Sequence, residues 1–358
     1  MKKLLFLVAL LCSTITLHAK NFEVKRGINI SHWLSQSTDR DIWRSRKFTR
    51  EDVKFIAEQG FDHIRIPIDE EQMFDEKLNP DKEAFTLLHN ALSWCKEFNL
   101  RAIVDLHILR SHHFNAEEKP LFTDSKAQEQ FCECWRKISA ELKEYPNSMV
   151  AYELMNEPVA DDPEVWNQII NKCLKVVREL EPKRKIIIGA NRWQSYDQVQ
   201  YLKVPAKDKN IILSFHFYNP FPLTHFRASW CDQKDNPLWV TYPGKMSKAE
   251  DVAKLAQPQK EKFGWLASDS GYNDINTLEK QIKQAYDAAQ KMGKPLYLGE
   301  FGVIHGADEP SRIRWYKDIV ALCTKYGIGY TAWDYKGGFG IIRNGKIQHE
   351  MIKALVGK

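Results

Sequence analysis

Eight short apolar segments alternate with stretches of 3.6-residue periodicity, and no glycine-rich fingerprint follows the first of them. Together these features predict a closed (β/α)8 TIM barrel, an α/β fold in one domain. The segments are almost continuously apolar, as strands of a parallel sheet buried under helices must be. A chain of 358 residues, 43% hydrophobic, is long enough to bury one large core around such a barrel. No Ser/Gly linker, repeat or low-complexity tract divides it.

The chain opens with Lys2 and Lys3 ahead of an apolar run over residues 4–11, and Leu17-His18-Ala19 ends in a small residue. Residues 1–19 therefore read as a signal peptide, and the chain as exported, periplasmic or extracellular. The run is too short to span a bilayer, and no later segment is long enough. Cys12 offers lipid attachment as an alternative, but Leu10-Leu11 is bulkier than such a site prefers. The mature domain is then residues 20–358. Its predicted strands cover residues 24–30, 62–67, 101–107, 149–156, 185–189, 211–218, 295–300 and 329–334. Between them, Asn79-Pro80-Asp81 starts one helix with Pro in its first turn. Phe131, Trp135, Ile138 and Leu142 form the inner face of another, and Asp162-Pro163-Glu164 starts a third.

A charge of +5 with no basic stripe argues against nucleic acid as a partner. Eleven Trp and thirteen Tyr point elsewhere, because aromatic rings stack on the flat apolar faces of sugars. Cys95, Cys134, Cys173 and Cys323 fall at helical spacing among apolar residues and read as small buried hydrophobes. Cys132 and Cys134, two apart on a helix, cannot form a metal clip. The longest irregular stretch, residues 219–246, carries Phe221, Phe226, Trp230, Trp239 and Tyr242. So much aromatic surface needs a core or a ligand to cover it, and Trp230, Trp239 and Tyr242 are expected to line one end of a cleft.

The chemistry lies at the strand ends. Tyr152-Glu153-Leu154-Met155-Asn156-Glu157-Pro158 closes the fourth strand with an amide, a carboxylate and a rigid proline. Pro295-Leu296-Tyr297-Leu298-Gly299-Glu300-Phe301-Gly302 repeats the design. Two strand-end glutamates far apart in sequence are the layout of a two-carboxylate site on stiff elements. Barrel enzymes carry their chemistry at the carboxyl ends of the strands. Those ends here also hold Arg65, His107, Asn156, His216, Tyr218 and Trp333. His216 and Tyr218, two apart, share a face. Glu153 has the parity of Glu157 but lies deeper, and reads as a buried partner of Arg65.

These positions resemble the signature set of glycoside hydrolase family 5, the retaining β-glycanases of the cellulase type. The likeness runs from Arg26-Gly27-Ile28-Asn29 to Trp333. Asn156-Glu157-Pro158 and Gly299-Glu300-Phe301-Gly302 carry it in combination. It implies that Glu157 is the acid/base and Glu300 the nucleophile, with Arg65 and Tyr218 as donors that keep Glu300 ionised. Asn156 would bond the sugar 2-hydroxyl. His107 and His216 would bind substrate and orient the carboxyls, and Trp333 would form the floor beneath the reacting ring. A carboxyl pair supplies both proton and nucleophile, so no metal or organic cofactor is expected. The two carboxyls should lie roughly 5–5.5 Å apart. The resemblance implies endo-acting hydrolysis of β-1,4-glucan, with β-mannan and β-1,3-glucan as alternatives. The partner is a polysaccharide or oligosaccharide, and the chain is expected to act as a monomer.

Two other readings compete. A metal-dependent barrel hydrolase would use Asp105, His107, His112, His113 and His216, but leaves both glutamates unexplained. A non-catalytic sugar-binding barrel would tolerate the loss of a carboxylate, yet both are present.

Overall fold

The computed structural model describes residues 21–357. The expected signal peptide and Cys12 lie outside the described residues. Eight parallel strands close into a barrel: β1 (Arg26–Asn29), β2 (His63–Asp69), β3 (Arg101–Ile108), β4 (Val150–Glu153), β5 (Ile186–Gly189), β6 (Ile211–Phe217), β7 (Leu296–Phe301) and β8 (Gly329–Ala332). Pairing of β1 with both β2 and β8 completes the ring. All eight expected strands are present. Four stop earlier than their apolar runs suggest, β1 and β6 by one residue, β8 by two at Ala332 and β4 by three at Glu153. Glu157 therefore does not end a strand, and Trp333 and Tyr218 stand just past theirs.

Six crossover helices and one that follows the last strand cover the outside: α1 (Arg50–Gln59), α2 (Lys82–Glu97), α3 (Ser125–Leu142), α4 (Pro163–Leu180), α5 (Ile275–Lys291), α6 (Glu309–Tyr326) and, after β8, α7 (His349–Val356). Their starts follow capping rules. Asp162 accepts from the Glu164 N–H at 2.8 Å with Pro163 in the first turn. Asp81, not Asn79, caps α2, accepting from the Ala84 N–H at 2.7 Å, so Pro80 falls just outside the helix. Between β5 and β6 the crossover is a 3-10 turn, Tyr196–Tyr201, where the strand–helix repeat predicts a helix. The connection after β6 is longer than the irregular stretch suggests. It contains short helices Phe221–Thr224, Ala249–Ala253 and Gln257–Phe263, and a two-residue ribbon pairs Gly244–Lys245 with Tyr272–Asn273.

Strand alternation sorts the side chains. Outward residues such as Ile64, Ile66, Val104, Tyr152 and Ile188 join the helices in the main core. Inside the barrel, Ile103, Ala151, Ile187, Ile212 and Tyr297 form a separate apolar cluster with Phe22. On the same strands, further toward the carboxyl ends, the inward residues turn polar. Between them these layers set the floor and the walls of the site.

A buried polar brace fixes β4, the strand that feeds the site. The Arg184 guanidinium donates to Val150 O and Tyr145 O, each at 2.9 Å, and pairs with Glu181 at 2.6 Å. Glu181 also accepts from Ser139 Oγ on α3 and from the Tyr152 hydroxyl on β4. Arg184→Leu would leave the Glu181 carboxylate buried without its cation. It should cost about 3–5 kcal/mol of folding stability, read by urea unfolding. A loss below about 1 kcal/mol, the range of exposed pairs, would contradict this role.

Candidate active site

The site is built around Arg65, an inward residue of β2 that is fully buried. Its Nε donates to Glu153 Oε2 at 2.7 Å. One terminal nitrogen donates to Asn29 Oδ1 at 2.9 Å and to Glu300 Oε1 at 2.7 Å. The other donates to Asn156 Oδ1 at 2.8 Å and lies 3.1 Å from Asp105 Oδ2. Four of the five guanidinium N–H groups thus donate hydrogen bonds and the Asp105 carboxylate pairs with the charge beside the fifth, and only Arg offers that planar fork. Glu153 is the buried partner of Arg65 that its parity implies.

Glu300 faces inward because of an irregularity in β7. Leu298 pairs with Phe215 and Glu300 with His216, so Gly299 is an extra residue between two paired positions. Simple alternation from inward Tyr297 would turn Glu300 outward; the bulge reverses the phase. A side chain at position 299 would meet Ser214 Oγ at 2.9 Å and His216 Nε2 at 3.0 Å, which explains the glycine.

Glu157 reaches the same place by another route. It lies four residues past β4 with φ at +44°, a conformation that non-glycine residues adopt at a cost of about 1–2 kcal/mol. Its Oε1 lies 2.9 Å from His216 Nδ1, and that nitrogen is 3.7 Å from Glu300 Oε2. The Tyr218 hydroxyl donates to Glu300 Oε2 at 3.0 Å. The ring of His107 stacks on Trp333, with centroids 5.7 Å apart, while its Nδ1 contacts Asp105 Oδ2 at 2.7 Å. The fold therefore brings Glu157, Glu300, Arg65, His107, Asn156, His216, Tyr218 and Trp333 to one end of the barrel.

Electrostatics separate the two glutamates. Burial pushes the Glu157 carboxyl well above its usual range, and the neighbouring Glu300 charge adds to the shift. Burial raises Glu300 too, but Arg65 and the Tyr218 hydrogen bond draw it back. Burial, with Arg65 nearby, holds His216 well below its ordinary value, so its imidazole is neutral at pH 7. Burial likewise lowers His107 to about 4 and raises Asp105 to about 7. Both carboxyls are thus raised, Glu157 the further of the two, and only Glu300 has a cation and a hydroxyl donor that favour its anion. The buried atoms that lack a protein partner include Asn156 Nδ2, whose amide oxygen is taken by Arg65, and His216 Nε2. Unpaired polar atoms in a cleft are where a polar ligand binds.

The metal-ligand set that the sequence offered as an alternative does not assemble. His112 Nε2 contacts Glu157 O at 3.1 Å, and His113 stacks on Phe114. Among the described residues, the group that could hold an ion is Glu157, His216 and Glu300, whose ligand atoms lie within 4.8 Å of one another.

The aromatic loop is only partly as expected. Tyr242 is buried, its hydroxyl donating to Asp318 Oδ2 on α6 at 2.8 Å, because that carboxylate offers a partner the cleft does not. It does not line the site. Trp239 lies half exposed, its edge on Phe226 and its Nε1 3.3 Å from Asp308 Oδ1. Trp230, more than half exposed, adjoins His225 and Phe339, both of which contact Tyr218.

Sequence reasoning missed Trp193, an exposed indole whose backbone N–H donates to Pro158 O at 3.3 Å. It also missed Gln194, fully buried beneath Glu157. The one available signal was the run Asn191-Arg192-Trp193-Gln194 immediately after a strand end.

Known proteins share this sequence and fold. The profile of the family Cellulase (glycosyl hydrolase family 5) matches residues 17–338. Endoglucanase C of Acetivibrio thermocellus is 34% identical over 323 residues, covering 87% of this chain and 91% of that protein. A hyperthermophilic endo-beta-1,4-glucanase solved in complex with substrate superposes with a TM-score of 0.76 at 26% identity, covering 94% of this chain and 97% of that one. Thermotoga maritima Cel5A, solved with mannotriose, gives 0.76 at 25% identity over 94% and 98%.

Replacing Arg65 tests the hub. Arg65→Met leaves Asp105, Glu153 and Glu300 without their cation and should cost about 3–5 kcal/mol at neutral pH. The folded-state values of Asp105 and Glu153 are already raised, so protonation favours the fold below about pH 7 and that support fades as pH rises through it. Loss of Arg65 raises them further, so the deficit against the native protein should be larger at pH 8 than at pH 5. Equal deficits in thermal melts at the two pH values would contradict the charge argument.

Proposed function

Because the chain belongs to glycosyl hydrolase family 5, and is thereby a glycoside hydrolase of the endo-β-1,4-glucanase-like type, we propose that it cleaves β-1,4-glucan internally by double displacement. The observation that carries this reading is a pair of glutamates with a carboxyl oxygen of each within 4.8 Å, Glu157 raised the further by burial and Glu300 alone bonded to Arg65 and Tyr218. Retaining glycosidases hold their carboxyls roughly 5–5.5 Å apart, whereas inverting ones open to about 6.5–9.5 Å to admit a water. The close approach supports retention.

In the first step Glu300 attacks the anomeric carbon, while Glu157 gives its proton to the glycosidic oxygen and the leaving sugar departs. The resulting glycosyl ester joins the sugar to Glu300. Glu157, now ionised, takes a proton from water, and the water oxygen displaces Glu300 from the anomeric carbon. Both carboxyls return to their starting states. The charge on Glu300 is favoured by Arg65 at 2.7 Å and Tyr218 at 3.0 Å. The free Asn156 amide donor suits the 2-hydroxyl of the reacting sugar, a bond that strengthens in the transition state. The Trp333 indole, stacked on His107, suits the floor beneath that ring.

Relatives named as endoglucanases support β-1,4-glucan over other β-glycans, and the mannotriose complex of Cel5A keeps β-mannan as the second reading. The N-terminal sequence supports action outside the cytoplasm, where such polymers are met.

Reducing-sugar release from β-1,4-glucan, β-1,3-glucan, mannan and xylan tests the reading. Release should be fastest from β-1,4-glucan and persist in a chelator. Glu300→Gln should lower it by at least about 10³-fold. The native pH profile should be bell-shaped, falling at low pH as Glu300 takes up a proton and at high pH as Glu157 loses its own. Activity restored only by a divalent ion, or a Glu300→Gln protein of native rate, would overturn these roles.

A further inference from the structure

The two glutamates are mounted differently. Glu300 belongs to β7 and is held by the ladder opposite His216. Glu157 lies beyond the end of β4 in a left-handed conformation, and its own peptide groups are held by side chains. Its N–H donates to Gln194 Oε1 at 2.9 Å, from the turn after β5. Its carbonyl oxygen accepts from His112 Nε2 at 3.1 Å, from the loop after β3.

The grip extends along the following residues. The Trp193 N–H donates to Pro158 O, and Asn191 makes two 2.9 Å bonds, one to the N–H and one to the carbonyl of Ala160. Gln194 is fixed in turn, its Nε2 donating to Glu153 Oε1 at 3.2 Å and Ser214 Oγ at 3.0 Å. Arg192, Trp193 and Gln194 all have positive φ, three such residues in a row. Strain of this kind persists where surrounding bonds over-determine it, and it clusters at functional sites. Room for the Gln194 side chain exists because residue 189 is glycine; any Cβ there would collide with it. His112 is buried with its ring edge-on to Phe122 at 5.2 Å, and its Nδ1 has no partner. The one hydrogen bond of its ring is the one to Glu157.

We propose that Gln194 and His112 are positioning residues that clamp the Glu157 backbone from opposite sides and so aim its carboxyl at the glycosidic oxygen. An acid that must meet one oxygen needs its backbone fixed to a fraction of an ångström, and no strand does this for Glu157. Burial lowers His112 to about 4, so its imidazole stays neutral through the working range and donates one N–H to the carbonyl.

The clamp rests on the acid/base reading of Glu157, and the test keeps the two apart. Gln194→Met and His112→Leu each remove one jaw at similar volume, while His112→Gln keeps an N–H donor. Each is assayed on a cello-oligosaccharide, whose leaving sugar needs a proton, and on 2,4-dinitrophenyl β-cellobioside, whose leaving group does not. General acid–base catalysis is worth roughly 10²–10⁴-fold, so a misaimed acid should lose about tenfold or more on the oligosaccharide. On the dinitrophenyl substrate kcat/KM should change by no more than about twofold, since departure needs no proton. Added azide should speed turnover of Gln194→Met and His112→Leu on that substrate by intercepting the glycosyl ester without a base, and should leave native turnover unchanged. His112→Gln should stay near native on both substrates. Equal losses on both, with no azide effect and a lowered melting temperature, would reduce the clamp to a folding role and overturn the proposal. If the melting temperature of Gln194→Met falls, His112→Leu against His112→Gln decides by the same criteria. An inactive native protein on both substrates would overturn the acid/base reading and the clamp together.

Discussion

A guanidinium sealed inside a closed barrel can stay charged only if its surroundings answer every N–H and balance its charge. Arg65 meets this demand with Glu153, Asp105 and Glu300 as anions and Asn29 and Asn156 as neutral acceptors. The partners come from β1, β3, β4 and β7 and from the segment after β4, so one side chain sets the relative placement of most of the barrel mouth. The acceptors also constrain one another. Asn156 must present its oxygen to Arg65, which leaves its amide nitrogen free in the cleft. Glu300 must present one oxygen to Arg65, which leaves the other for Tyr218. The chemistry of the site follows from how this one cation is satisfied.

The surplus of carboxyls over cations explains the rest of the electrostatics. Four buried acids, Asp105, Glu153, Glu157 and Glu300, share one buried arginine, because the nearby histidines are kept neutral by burial. Not all four can ionise together at neutral pH. Those in direct contact with Arg65 have the stronger claim to charge. Glu157, with no contact to the guanidinium, is the one best suited to hold a proton. In the proposed roles, the acid and the nucleophile differ in their access to Arg65.

Much of this was legible in the chain, for physical reasons that differ between residues. The strands could be read because a parallel barrel demands continuous apolar runs, and the rim residues because they interrupt those runs at their carboxyl ends. Glu153 could be assigned to Arg65 by parity. Parity fails at Gly299, where a bulge invisible in the pattern turns Glu300 inward. The end of β4 was misplaced because Leu154 and Met155 are as apolar and buried as strand residues, and Leu154 and Asn156 still donate to Ile187 O and Leu106 O after the regular pairing stops at Glu153. Tyr242 was misread because aromatic content alone does not reveal that Asp318, 76 residues away, will accept its hydroxyl. Gln194 escaped notice, and His112 was weighed only as a metal ligand, for a related reason. Each acts through a backbone group of Glu157, and side chain–backbone contacts between loops leave no periodic trace.

The division of labour between Glu157 and Glu300 makes a stereochemical statement that no stability effect can imitate. The most direct measurement is a proton NMR time course of the anomeric signals released from a β-linked cello-oligosaccharide, recorded before mutarotation equilibrates them. A nucleophilic Glu300 within 4.8 Å of the acid requires two displacements, so the β anomer should appear first and the α anomer only later, at the mutarotation rate. Initial release of the α anomer would mean a single displacement by water, and would contradict the assignment of Glu300 and with it the catalytic meaning of the Arg65 hub.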